Sequence, residues 1–272
     1  MSQKKQSFRP QLEALEQRSL MACNVFLDAN GALNIIGDAA NDQVTVYDSG
    51  QGTVLGIASG HGPFSFANVH SIIIDTGGGD DVVNYQFVDD IHDPMHKVEV
   101  NLRSGNDQFN CTFYDYWSGG YRDVTPGSLL LMKVVGEEGN DRMFFDAGGG
   151  VDMDHSTMKI SFYGGLGDDI LGMAYNGLND HGGVSFFAYG NEGNDTIRMS
   201  MVADPASVSP APGGFRGIIE GNDGDDDIYF HLSAPRAVST VESSINGGRG
   251  RDRAYTNIDP TKIFEVENIT LY

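Results

Sequence analysis

One hexamer recurs eight times along this chain: GDAAND (37–42), TGGGDD (76–81), LRSGND (102–107), GEEGND (136–141), GGLGDD (164–169), GNEGND (190–195), GNDGDD (221–226) and GGRGRD (247–252). Its sixth place is always aspartate: Asp42, Asp81, Asp107, Asp141, Asp169, Asp195, Asp226 and Asp252. Its fourth place is glycine in every copy but the first, which has Ala40. The aspartates are 39, 26, 34, 28, 26, 31 and 26 residues apart. A repeat of this period marks a fold made by stacking similar units, because one unit cannot bury its own apolar face.

Each hexamer lies between β-prone segments. Ile72, Ile73 and Ile74 precede the second copy, Val98 and Val100 the third, Val134 and Val135 the fourth. Two residues beyond the aspartate comes an apolar position: Val44, Val83, Phe109, Met143, Leu171, Ile197, Ile228 or Ala254. Strand, glycine turn, strand is the direct reading. Helical patterning is nearly absent after residue 24, which disfavours βαβ units. The expected fold is all-β: a parallel β-solenoid with one GGxGxD-type turn per coil of about 26–34 residues, over 25–272. A sandwich of strand-turn-strand hairpins is the competing architecture. Loop insertions at 84–96, 113–128 and 203–214 would account for the longer intervals.

Composition narrows the partners. With 17 basic and 38 acidic residues the net charge is −21, so phosphate backbones and anionic lipid are repelled and no nucleic-acid partner is expected. Hydrophobic residues make up 40% of the chain, which is ample for a core rather than an acidic disordered tail. No apolar run reaches the ~18 residues of a membrane helix, and no span is expected. Cys23 and Cys111 allow one disulfide but no disulfide scaffold.

Stacked coils place equivalent aspartates about 4.8 Å apart. Two carboxylates at that spacing repel by roughly 3 kcal/mol at an effective dielectric near 20, and by under 1 kcal/mol in bulk water. Either the side chains splay into water or cations sit between the rungs. Carboxylate and carbonyl oxygens are hard ligands of the kind Ca²⁺ takes, whereas softer metals prefer cysteine or histidine.

The hexamer with its following apolar residue resembles the RTX, or hemolysin-type, calcium-binding nonapeptide GGxGxDxUx. That resemblance implies a calcium-binding protein exported to a calcium-rich exterior, extracellular or at the cell surface. It implies the eight aspartates as ligands, with Gly164, Gly167, Gly190, Gly193, Gly221, Gly224, Gly247 and Gly250 shaping the loops. Full GG-x-G-x-D occurs only at 164–169 and 247–252, and the copies at 37–42 and 102–107 are degraded. Family repeats run in tandem on short coils, whereas one occurs per long coil here. The bland reading of the same residues is tight β-turns with solvated aspartates. A second match to the template, AGGGVD (147–152), falls so soon after Asp141 that it belongs on another corner of the coil.

Residues 1–24 form a separate N-terminal segment, basic-apolar and without a continuous apolar h-region. Leu15 to Met21, LEQRSLM, resembles the LEPR-XLL motif of planctomycete-type exported proteins, with Gln17 in place of its proline. The alternative is a short amphipathic helix capping the first coil. The alternating residues 263–272 read as a final edge strand.

Catalytic signatures are weak. His92, Asp93 and His96 lie together in an expected loop, where histidines are ordinarily solvated, and Ser156 with Lys159 matches S-x-x-K without its companion motifs. Trp117 sits among aromatics at 113–121 that could stack on a sugar or pack on their own coil. The resulting expectation is a calcium-binding structural or adhesive protein of a surface or matrix, with surface polysaccharide or another surface protein as partner. A carbohydrate-active β-helix enzyme and a metal-free structural repeat are the alternatives.

Overall fold

The computed structural model describes residues 23–115, 120–204, 214–234 and 241–272. The export-like motif, Trp117 and the proline-rich stretch 205–213 lie outside the described residues.

Every coil crosses two facing sheets, and the hexamer is the corner between them. One sheet stacks Ala32–Ile36, Ser71–Asp75, His96–Ser104, Leu129–Glu138, Thr157–Leu166, Gly183–Glu192, Gly214–Asp223, Val241–Arg249 and Ile263–Phe264, each parallel to the next. The other stacks Gln43–Asp48, Val82–Phe87, Gln108–Thr112, Arg142–Ala147, Ile170–Gly177, Thr196–Ala203, Asp227–Ser233, Arg253–Thr256 and Asn268–Leu271, again parallel. This is the parallel β-solenoid, and consecutive parallel neighbours rule out the hairpin sandwich.

Alternation fixes which side chains enter the core. The apolar position two after each aspartate forms one internal column, Val44, Val83, Phe109, Met143, Leu171, Ile197, Ile228 and Ala254, all at most 1% exposed. Facing it across the core are Ile35, Ile74, Val100, Val134, Phe162, Ala188, Ile219 and Ile245, also buried. The stacked coils thus share one continuous hydrophobic interior.

Three expectations need correction. The 39-residue first interval arises because Thr53–Ala58 folds back antiparallel on Gln43–Asp48 and Gly62–Ala67 antiparallel on Thr53–Ala58, closing the N-terminal end of that sheet. Asn24–Leu27 does the same on the other sheet, pairing antiparallel with Ala32–Ile36. Antiparallel caps present a different edge from the parallel stack and blunt its continuation. Second, 84–96 and 113–128 are largely body rather than insertion: Phe87, Ile91, Phe113 and Val124 are buried, and the pair Tyr114–Asp115 and Gly120–Tyr121 packs against the coils through Tyr121 and the Gln86–Tyr114 hydrogen bond. Third, His96 belongs to the interior, as described below. Cys23 and Cys111 are both buried free thiols. The residues 147–152 do lie on another corner, the return from the second sheet, where Val124 bridges Ile91 and Met153.

Candidate site along the aspartate column

Turn geometry brings the eight aspartates into one column, but they neither splay into water nor stand apart. All eight are at most 1% exposed. In seven of them Oδ1 accepts the backbone N–H of the equivalent aspartate in the preceding coil. Asp42 N–H donates to Asp81, Asp81 to Asp107, Asp107 to Asp141, Asp141 to Asp169, Asp169 to Asp195, Asp195 to Asp226 and Asp226 to Asp252, at 2.7–2.9 Å. The other oxygen, Oδ2, is buried without a hydrogen-bond partner in those seven. Asp42, with no earlier hexamer before it, differs: its Oδ2 accepts from Asp38 N–H at 3.1 Å and its Oδ1 is the orphan. The degraded copy at 102–107 supplies a full rung through Asp107.

The glycines explain where Oδ2 points. At the first position of the hexamer, a Cβ on Gly164 would lie 2.2 Å from Asp169 Oδ2 and 2.6 Å from the Gly190 carbonyl oxygen. Gly190, Gly221 and Gly247 repeat this contact with Asp195, Asp226 and Asp252. In the six copies with glycine at position one the carboxylate occupies its side-chain space, whereas Thr76 and Leu102 hold that position in the copies of Asp81 and Asp107. Gly164→Ala is expected to destabilise by about 1–3 kcal/mol, measured by denaturant unfolding. Position four is glycine for a second reason: Gly193 has φ 131° and its Cβ would strike Gly167 O at 2.0 Å. Gly167, Gly224 and Gly250 are in the same state.

Burial raises the carboxyl pKa values, and the donated N–H groups only partly offset it. Asp81, Asp141 and Asp195 are pushed up to about 6, Asp107 and Asp226 to about 7, and Asp169 to about 8. Asp252 is raised for the same reason. Neighbouring carboxylates in the column add to the rise at Asp107, Asp169 and Asp226. From Asp81 to Asp252, burial thus favours the neutral form of each carboxyl.

Three further features were not foreseen in the sequence. The column continues past the last hexamer, because Asp252 N–H donates to Glu267 Oε2 at 2.6 Å. Glu267 precedes Asn268, which pairs with Arg253, so it stands where a ninth aspartate would. The fifth position makes an outer ladder running the opposite way: Asp80 N–H donates to Asn41, Asn106 to Asp80, Asn140 to Asn106, Asp168 to Asn140, Asn194 to Asp168, Asp225 to Asn194 and Arg251 to Asp225. Only residues with a side-chain oxygen can extend it, and Arg251 ends it. The return corner carries a shorter ladder, Asp123 N–H to Asp90, Asp152 N–H to Asp123 and Leu178 N–H to Asp152.

His96 is not a solvated loop residue but 1% exposed. Its Nε2 meets Asp48 Oδ2 at 2.7 Å and its Nδ1 meets Asp93 Oδ2 at 2.9 Å. The Tyr85 hydroxyl also donates to Asp48, whose other oxygen accepts Gly50 N–H at 2.8 Å. Burial pulls the His96 pKa down, but the Asp48 and Asp93 carboxylates outweigh it and raise it to about 9. The network is therefore an internal ion pair in the first coils.

No protein-family model, curated protein or solved structure matches this chain. Its chemistry has to be read from its own residues. For calcium, the donor set along the column fits in kind: unpartnered carboxylate oxygens beside backbone carbonyls, with the Cys23 thiol meeting only the first rung at Asp42. Among the described residues, no three His, Cys, Asp or Glu side chains form a cluster that could hold a metal ion. A cation here would rely on one carboxylate oxygen per rung and turn carbonyls for the rest. Among the described residues no helix is long and apolar enough to cross a membrane.

Proposed function

We propose that this protein is a structural β-solenoid, exported and extracellular or surface-borne, whose rigidity is set by calcium acting on the aspartate column. The supporting observation is the run of buried carboxylates, each with one oxygen hydrogen-bonded and the other orphaned. Burying an ionised carboxylate costs several kcal/mol even after relaxation. Repeated over eight rungs, that exceeds the ~5–15 kcal/mol by which a domain is stable. The column must therefore be neutralised. Calcium supplies charge from outside: Asp81, Asp107, Asp141, Asp169, Asp195, Asp226 and Asp252 would hold it, helped by carbonyls such as that of Gly190. Any binding to the folded chain alone stabilises it by mass action. A surface polysaccharide or another surface protein would dock on the resulting rigid faces.

A second reading, a metal-free repeat neutralised by protons, is favoured by the N–H bond already fixing Oδ1 of each rung from Asp81 to Asp252. Equilibrium unfolding at pH 8 separates the two. In EDTA the chain should be loosened, millimolar Ca²⁺ should raise the melting temperature by several degrees or more, and Mg²⁺ should not substitute. Equal melting in EDTA and Ca²⁺, with strong stabilisation at pH 5, would leave the proton reading standing alone.

A further inference from the structure

On the return corner, well away from the aspartate column in the chain, two histidines are stacked in successive coils. Met153–Asp154 and Asn179–Asp180 are parallel, paired two-residue strands, which puts His155 and His181 in register immediately after them. Their ring centroids are 4.7 Å apart and the planes differ by only 11°. Each ring is tethered by the carboxylate just before it: His155 Nδ1 to Asp154 Oδ1 and His181 Nδ1 to Asp180 Oδ1, both 2.5 Å. Neither Nε2 has a partner among the described residues. Both side chains open to solvent, at 61% and 41% exposure. They flank a groove of about 420 Å³ whose wall includes Ser156, Ser185, Arg216 and Glu242.

A carboxylate on Nδ1 fixes the tautomer with the proton there and leaves the Nε2 lone pair free, the arrangement that orients imidazole for a metal. Two such rings side by side, with nothing else claiming their Nε2 atoms, present a matched pair of donors. We propose that His155 and His181 bind a first-row transition ion of the Zn²⁺ or Cu²⁺ class through their Nε2 atoms, with water completing the coordination. Imidazole selects these ions over Ca²⁺, so the site is chemically distinct from the oxygen-lined column. A metal lies in the plane of an imidazole on its Nε2 lone pair, so the two near-parallel rings have to tilt towards one another to share one ion at Zn–N bonds of ~2.0–2.1 Å, a side-chain rotation that exposure on this corner permits.

Titration of Cu²⁺ and Zn²⁺ into the purified full chain tests this, with millimolar Ca²⁺ present throughout to occupy the carboxylates. The wild type should take up one ion, and Cu²⁺ electron paramagnetic resonance should show two equivalent nitrogens. Asparagine is the suitable replacement, because His155 and His181 have φ 47° and 59°, a left-handed state that asparagine tolerates. His155→Asn and His181→Asn should each weaken binding at least tenfold and leave a single-nitrogen signal, with melting in Ca²⁺ unchanged. Asp154→Asn and Asp180→Asn should weaken it less while keeping both nitrogens. Absence of saturable binding, or affinity and spectra that survive His155→Asn with His181→Asn, would overturn the proposal.

Discussion

Replacing Asp169 by alanine is expected to lower stability by about 2–4 kcal/mol in any buffer, whereas Asp169→Asn should be neutral or stabilising in EDTA at pH 8. The contrast follows from the two oxygens. Alanine leaves the buried Asp141 N–H without its acceptor at 2.7 Å and opens a void against Gly164. Asparagine keeps an oxygen for that N–H and places an amide donor where Oδ2 lies, in the same small space as the Gly190 carbonyl oxygen. What it removes is the charge. Asp169 is the rung pushed highest, to about 8, so the largest relief is expected there. The same variant should lose part of the calcium-induced gain. Asp169→Asn as damaging as Asp169→Ala in EDTA would mean that the ionised carboxylate is already satisfied by its surroundings. Chemical denaturation of the three proteins decides it.

His96→Ala is expected to cost about 3–5 kcal/mol, since removing one member of a buried ion pair strands the other. The stranded group is Asp48, which is 0% exposed and would keep only the Tyr85 hydroxyl and the Gly50 N–H. The pair also has its own pH window. A histidine raised to about 9 in the folded state contributes stability that is fully present below its unfolded value near 6.5 and lost as pH climbs through 9. The aspartate column has the same sign over a lower range. Its carboxyls, raised to between about 6 and about 8, contribute stability that is complete below the unfolded value near 4 and lost as pH rises through those folded values. In EDTA, wild-type stability should therefore fall in two stages, and His96→Ala should abolish only the alkaline one. Hydrogen exchange should place that loss in the first coils.

The architecture was legible because the hexamer is a complete local instruction. Its glycines demand a turn, and the apolar position after Asp169 or Asp195 can only face the core. The lateral order of the strands then follows from sequence order in a solenoid. The chemistry of the column was less legible. A sequence shows that Asp169 recurs with its equivalents, but not that its carboxylate folds inward against Gly164 and takes a backbone N–H from the preceding coil. Glu267 was missed because it follows Asp252 by 15 residues, a far shorter interval than the repeat, and its signal is only the apolar Ile269 two residues on. His96 was misjudged because its partner Asp48 is 48 residues away, brought near only by coiling. The antiparallel caps left a trace only in the unusual length of the first interval.

Thermal unfolding at pH 5 and pH 8, each in EDTA and in millimolar Ca²⁺, addresses the column most directly. Neutralisation of the buried aspartates as the determinant of stability predicts a low melting temperature in only one of the four conditions, EDTA at pH 8. Either protons or calcium should restore it, and the effects should not add. Melting temperatures that are the same in all four conditions, or highest in EDTA at pH 8, would contradict it.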